Sequence, residues 1–202
     1  MKIIVLSSGG LDSSTLLLKC KNEGHETHPV FVNYGQASLD REWQACQKVC
    51  GYLGLTPFKV DFPSLSILHD SLRPDKKAVF FPFRNLIFAS LAAFYGYHIG
   101  VQDVALGIVK DLVPFPDCTS QFCEKLQSAL TESVSIPISV HAPLIELDKS
   151  DVVSYGSSLS FPFEVTYSCY EGRERHCGKC LACLARKEAF SKAGVKDPTS
   201  YE

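Results

Sequence analysis

An α/β fold is what this sequence predicts: a five-stranded parallel sheet with helices on both faces, followed by a small C-terminal lobe. Three observations carry that expectation. Short apolar runs bounded by Gly, Ser or Asn alternate with longer segments of helical spacing, as in a parallel sheet with crossover helices. The string Ser7-Ser8-Gly9-Gly10-Leu11-Asp12-Ser13-Ser14 stands between the first such run and the first helical segment. Cys169, Cys177, Cys180 and Cys183 crowd into 15 residues near the C-terminal end. With 202 residues, 46% hydrophobic and 21% charged, the composition suits one folded domain with an appendage, divided here into residues 1–160 and 161–202.

The elements follow in order. Residues 2–6 (KIIVL) form a buried strand, and Leu11 to Cys20 a helix with Leu16 and Leu17 inward, stopped at Gly24. His28 to Val32 is the second strand, ending at Asn33-Tyr34-Gly35-Gln36. Residues 38–53 are helical, with Trp43, Cys46, Val49, Cys50 and Leu53 three and four apart, so Cys46 and Cys50 read as one apolar face rather than a second metal site. Phe58 to Val60 is a weaker third strand, and 61–80 is loop with one helical turn at most. Arg84 to Tyr97 is a helix closed by Gly100, Asp103 to Leu106 the fourth strand, ending at Gly107, and Gln121 to Ser133 a helix. Ser139 to Leu144 is the fifth strand and Lys149 to Ser158 the last helix before the cysteines.

Composition excludes several classes. The 20 basic and 22 acidic side chains give a formal charge of −2, without the overall basic field of a non-specific nucleic-acid binder, so no DNA partner is expected. No apolar run approaches the length of about 18 residues that a membrane span needs. The opening MKIIVLSSGGLDSS lacks a signal-peptide layout because its apolar stretch breaks after Leu6. A cytoplasmic protein is expected. Nine cysteines, an odd number, argue against a disulfide framework in that setting.

The serine–glycine string has a definite chemical use. Two glycines let the backbone turn sharply and approach a ligand, and the following helix start offers unpaired N–H groups to an anion. Ser8, Ser13 and Ser14 add hydroxyls; Asp12 is expected to cap the helix or orient the loop. The plainer reading is an ordinary Ser/Gly turn. There is no Gly-Lys-Ser/Thr and no Rossmann glycine spacing. The string instead resembles S-G-G-x-D-S, the pyrophosphate-binding PP-loop of enzymes that split ATP into AMP and pyrophosphate while adenylating a substrate oxygen.

Cys169, Cys177, Cys180 and Cys183 supply four soft ligands, enough for a closed tetrahedral site. Zinc in a structural role is the expectation, since a closed shell leaves no open position; an iron–sulfur cluster is the competitor.

Together these motifs resemble the 7-cyano-7-deazaguanine synthase (QueC) family over nearly the whole chain. The family-like strings run in order: SGGLDSS at 8–14, Tyr34-Gly35-Gln36, Arg84-Asn85-Leu86, Ala105-Leu106-Gly107, Pro116-Asp117-Cys118, His141-Ala142-Pro143-Leu144, Lys149, and Ser168-Cys169-Tyr170. The resemblance implies an ATP-dependent ligase using Mg²⁺, ammonia and structural zinc, which converts 7-carboxy-7-deazaguanine through an amide to the nitrile preQ0. It also implies a homodimer. It assigns Arg84, Lys149 and Asp111 to catalysis, and Ser8, Gly9, Gly10, Leu11, Asp12, Ser13, Ser14, Asn33 and Gly107 to the nucleotide. Tyr34, Gln36, Asn85 and Asp117 go to the substrate, Asp111 and Asp117 as candidates for Mg²⁺ or the guanine-type edge. The plainer reading of Arg84 and Lys149 is solvated charge, and of Asp117 an N-cap for the helix over 119–133.

The chain departs from the family at identifiable places. Where the family reads D-[FY]-S-G-Y-P-D-C-R, residues 111–119 read DLVPFPDCT, and Phe83 stands where Gly or Ala is usual. The 61–80 segment is short for the family. These departures favour a rival, a QueC-like protein of anti-phage operons that joins an activated deazaguanine to a protein acceptor. Further rivals are a non-catalytic ATP-binding zinc protein and a tRNA-thiolating enzyme, which would need a cysteine pair near the nucleotide. Cys118 as a nucleophile has no evident His partner. Phe80, Phe81 and Phe83 suit core or subunit interface more than purine stacking, and Arg173 to His176 read as a solvated loop.

Overall fold

The structure, a computed structural model, describes residues 1–62, 81–110 and 115–202. Strands β1 (Lys2–Leu6), β2 (Glu26–Asn33), β3 (Phe58–Asp61), β4 (Asp103–Ala105) and β5 (Ser139–His141) form one sheet in the order β3-β2-β1-β4-β5. Every pairing is parallel, with Ile4 of β1 level with His28 of β2 and Val104 of β4. The connecting helices are α1 (Leu11–Asn22), α2 (Leu39–Tyr52), α3 (Arg84–Ile99) and α4 (Ser120–Val134); α5 (Lys149–Ser158) and α6 (Leu181–Lys192) follow the sheet.

The two-residue period of a strand sends alternate side chains to opposite faces. Ile3 and Val5 enter a core with Leu16 and Leu17 of α1, Cys46, Val49 and Cys50 of α2, and Val152 and Val153 of α5. Ile4 enters the other core, with Ala89 and Ala92 of α3 and Leu126 of α4. Each large aliphatic side chain buried in this way contributes roughly 1.5–3 kcal/mol before the entropy of ordering it. Cys46 and Cys50 lie in that core, as their spacing predicts.

Two elements differ from expectation. The fifth strand stops at His141 rather than Leu144, because Pro143 has no N–H to give a ladder and the chain turns there, with Ile145 N–H donating to Ala142 O. Helix α6 was not anticipated. Its inward face is Cys183, Arg186, Ala189 and Phe190, helical in spacing but half polar or thiol, so no apolar stripe announces it. Ala189 and Phe190 share the α1–α5 core. No helix among the described residues is long and apolar enough to cross a membrane.

Candidate active site

Chain order reverses at β1, whose neighbours are β2 and β4, and open parallel sheets hold ligands in the crevice beyond such a point. A cleft of about 680 Å³ lies there, walled by Ser7 and Ser8 after β1, Tyr34 and Gln36 after β2, and Leu106 and Gly107 after β4.

The loop after β1 is built around close approaches. Gly9 has φ +73, and a Cβ on it would stand 2.4 Å from Cys46 N and 2.8 Å from Glu42 O, so only glycine lets the loop rest on α2. A Cβ on Gly107 would stand 3.2 Å from Ser13 Cα, which explains a glycine where β4 passes the start of α1. Ser8 N–H donates to Ser13 Oγ (3.2 Å) and Gly10 N–H to Ser8 Oγ (3.3 Å), closing the loop. Gly10 is the N-cap of α1, in extended backbone and with no side-chain cap. The first helical bond is Ser14 N–H to Gly10 O, so the N–H groups of Leu11, Asp12 and Ser13 have no acceptor among the described residues. A helix start of this kind binds an anionic group by its free donors and its dipole.

Of the two roles expected for Asp12, capping α1 or orienting the loop, it does not take the first. Its Oδ2 accepts from Lys149 Nζ at the start of α5, which ties the loop to the far side of the cleft. Asp12 Oδ1, Ser14 Oγ and Thr15 Oγ1 are buried with no hydrogen-bond partner among the described residues. Gly9 and Ser14 are not among the residues lining the cleft. Lys149 is held by a capping box in which Asp148 accepts from Ser150 and Asp151 N–H groups.

The opposite wall carries Arg84, Asn85, Tyr34 and Gln36. Burial pushes the Tyr34 phenol up to about 12 even with Arg84 beside it. Gln36 Oε1 accepts from Tyr34 N–H (3.0 Å), and its Nε2 donates to Glu42 Oε2 (2.9 Å). Asn33 lies outside the cleft lining: its amide donates to Asp61 Oδ1 (2.7 Å) and its Oδ1 accepts from Gly35 N–H (3.0 Å).

Asp117 is not the helix N-cap that the plainer reading allowed. Thr119 caps α4, its side chain accepting from Phe122 N–H. Asp117 Oδ2 instead accepts from Asn85 N–H (3.1 Å) in the first turn of α3, and Asp117 O accepts from Asn85 Nδ2 (2.9 Å). It is a buried brace of α3, not a residue lining the cleft. Cys118 does line it, but burial pushes its thiol up to about 11, so it is not a thiolate near neutrality. Asp111 and Phe80 lie outside the described residues; Phe81 packs edge-on to Tyr34.

Glu42, Ser38, Tyr167 and Arg186 also line the cleft and were not singled out from sequence, as does Tyr170, noted there only within the Ser168-Cys169-Tyr170 string. Glu42 sits in an Asp-Arg-Glu run that reads as helix surface; its one signal is Ser38 four residues before it. Burial outweighs the bonds from Ser38 and Gln36 and the nearby Arg84, and lifts its carboxyl above the ordinary range.

The sulfurs of Cys169, Cys177, Cys180 and Cys183 all lie within 4.8 Å of one another. Four thiolates about 2.3 Å from one zinc ion would be about 3.8 Å apart, so the set fits a single tetrahedral metal. Cys180 N–H donates to Cys177 Sγ (3.3 Å) and Cys177 N–H to Cys169 Sγ (3.4 Å), which favours thiolates. His176, expected in a solvated loop, is buried between the rings of Tyr167 and Tyr201, and its Nε2 accepts from Ser168 N–H (3.1 Å). A one-residue bridge between His176 and Tyr201 brings the C-terminal segment alongside, which the sequence had no means of indicating.

The loop with its free helix-start donors, seated at the reversal of a parallel sheet, defines a nucleotide-binding α/β protein of the PP-loop class. Solved structures share this fold. A 4-thiouridine synthetase–RNA complex with bound ATP matches with a TM-score of 0.58 and 16% identity over 96% of this chain and 50% of that one. An NH3-dependent NAD synthetase from Campylobacter jejuni matches with a TM-score of 0.52 and 16% identity over 79% and 64%. Within that class the chain belongs to the QueC family, described as "Queuosine biosynthesis protein QueC", whose match spans residues 2–194. It is 34% identical over 218 residues to the 7-cyano-7-deazaguanine synthase of a Nitratiruptor species, covering 100% of this chain and 99% of the relative. It is 35% identical over 222 residues to the synthase of that name from Methanobrevibacter smithii, covering 99% and 97%.

Proposed function

We propose that this protein is an ATP-dependent carbon–nitrogen ligase that adenylates the carboxylate of 7-carboxy-7-deazaguanine and uses ammonia to form the amide and then 7-cyano-7-deazaguanine. The observation that carries the reading is the uncapped start of α1, open to a cleft whose opposite sides bear Lys149 and Arg84, in a chain related end to end to synthases of that name. A carboxylate is a poor acyl donor until it acquires a leaving group. Transfer of AMP to it develops charge on the α-phosphate and on the departing pyrophosphate, and fixed donors in a cleft are the physical means of stabilising that charge.

In this reading Ser8, Gly10, Leu11, Asp12 and Ser13 hold the phosphates, and Gly107 leaves room for the nucleotide. Lys149 and Arg84 oppose the developing charge, with Mg²⁺ and Asp111 completing the set. Tyr34, Gln36 and Asn85 face the deazaguanine. Zinc on Cys169, Cys177, Cys180 and Cys183 is structural, in a lobe over 161–202, and the protein works as a cytoplasmic homodimer.

The test is product analysis by mass spectrometry after incubation with ATP, Mg²⁺, 7-carboxy-7-deazaguanine and ammonium, with the metal content of the purified protein measured alongside. AMP and the nitrile, with about one zinc per chain, are the expected results. The altered 111–119 segment favours a second reading, transfer of the activated deazaguanine to a protein acceptor; AMP without nitrile would select it. Absence of AMP would overturn both.

A further inference from the structure

We propose that Glu42 is the proton acceptor that turns bound ammonium into the ammonia nucleophile, at a subsite formed by its carboxylate beside Tyr34 and Tyr170. This rests on the ligase reading above. The argument begins with an inventory of bases. The described ionisable side chains that line the cleft are Asp12, Glu42, Lys149, Arg84, Arg186, Cys118, Tyr34, Tyr167 and Tyr170; no histidine is among them. Asp12 is paired with Lys149. Lysine and arginine are cations already. The phenols and the Cys118 thiol are protonated near neutrality, and burial holds Tyr34 and Cys118 further that way. Glu42 remains.

Its geometry suits the task. Ser38 Oγ donates to Glu42 Oε1 (2.6 Å) and Gln36 Nε2 to Oε2 (2.9 Å), so one bond orients each oxygen and leaves further acceptor positions for an N–H donor. Among the described residues no lysine, arginine or histidine nitrogen forms an ion pair with this carboxylate. The charged and titratable groups that face it are Arg84 from α3, Tyr34 from the loop after β2 and Tyr170 from the segment before the cysteine site. A carboxylate with acceptor positions to spare, and no cation already paired to it among the described residues, is a suitable berth for ammonium. Its carboxyl, lifted by burial, is a stronger base than an exposed glutamate.

The step balances. Ammonium gives one proton to Glu42, becoming ammonia. The nitrogen lone pair attacks the carbonyl carbon of the acyl adenylate, the carbon–oxygen bond to the phosphate breaks, and AMP leaves with that electron pair. The proton lost from the new C–N⁺ centre departs to solvent, leaving the amide.

The experiment compares the wild type with Glu42→Gln on two nucleophiles, ammonium and hydroxylamine, which is neutral near pH 7 and needs no prior deprotonation. Thermal melts and metal content are measured as controls. Glu42→Gln is expected to lower amide formation from ammonium by about 10²–10⁴-fold at neutral pH, while hydroxamate formation changes little. Alkaline buffer, where free ammonia is abundant, should restore much of the amide rate. If Glu42→Gln is poorly folded, Ser38→Ala serves instead: loss of its hydroxyl donor raises the Glu42 pKa, so the acid limb of the ammonium-dependent rate moves to higher pH. Equal losses with both nucleophiles, or an unmoved pH limb in Ser38→Ala, would overturn the assignment while leaving the ligase reading intact. A wild type that makes no AMP would remove the ligase reading and this assignment together.

Discussion

At the scale of single residues, two backbone positions with positive φ have opposite consequences. Gly9 (φ +73) lies against α2, where any Cβ would meet main-chain atoms that cannot step aside. Gly9→Ala is therefore expected to cost about 2–4 kcal/mol and to abolish ATP turnover, read from urea denaturation and AMP formation. Phe83 (φ 61) holds the same left-handed conformation with an exposed side chain. A residue with a Cβ there costs about 1–2 kcal/mol that glycine does not, which gives a physical reason to favour glycine at this position. Phe83→Gly should raise stability by up to about 1 kcal/mol, because glycine's greater unfolded-state entropy offsets part of the gain. A lower urea midpoint would show instead that the Phe83 ring has a packing partner.

At the scale of elements, the start of α3 depends on a residue remote in sequence. Its N-cap, Phe83, offers no side-chain acceptor, and Asp117 supplies one through the Asn85 N–H. Asp117→Ala is expected to cost about 1–2 kcal/mol, as for loss of a cap. Because α3 carries Arg84, the same change should also raise the KM for substrate, whereas Thr119→Ala, which uncaps α4, should lower stability alone. Steady-state kinetics beside thermal melts separate the two effects.

At the scale of the whole molecule, Arg186 of α6 joins three stretches of chain. It is 1% exposed and donates to Thr166 Oγ1 (2.8 Å), Ser168 Oγ (3.1 Å), Phe163 O (3.0 Å) and Thr199 Oγ1 (2.6 Å), with Asp197 Oδ1 at 3.6 Å. Burial alone would raise the Asp197 pKa, but hydrogen bonds from Thr199 and Tyr201, with Arg186 nearby, lower it. A carboxyl with a depressed folded pKa adds stability that is present above its unfolded pKa of about 3.9 and lost as pH falls through the folded value. Asp197→Asn should therefore be less stable than wild type at pH 7, and the gap should close below about pH 4 in urea titrations at each pH. A gap independent of pH would mean that packing, not ionisation, holds the C-terminal segment.

What the sequence by itself determined is what local chemistry specifies. Apolar runs of strand length and helical spacing define a parallel α/β fold, and Lys149–Ser158 is a helix in sequence and structure alike because its polar and apolar positions follow one period. The phosphate-loop string and the four crowded thiols were legible for the same reason: each is a contiguous pattern. Tertiary structure decided whatever needs two distant segments to meet. Asp117 belongs to α3 and not to the helix that follows it, Asn33 is committed to Asp61, His176 is buried by Tyr201, and Glu42 turns from an ordinary helix charge into a cleft carboxylate only because Gly9 lets α2 come so close. Spacing along a chain records which side chains share a face. Which face meets which is set by packing, and packing supplies both the partner that holds a charge and the burial that shifts its proton affinity.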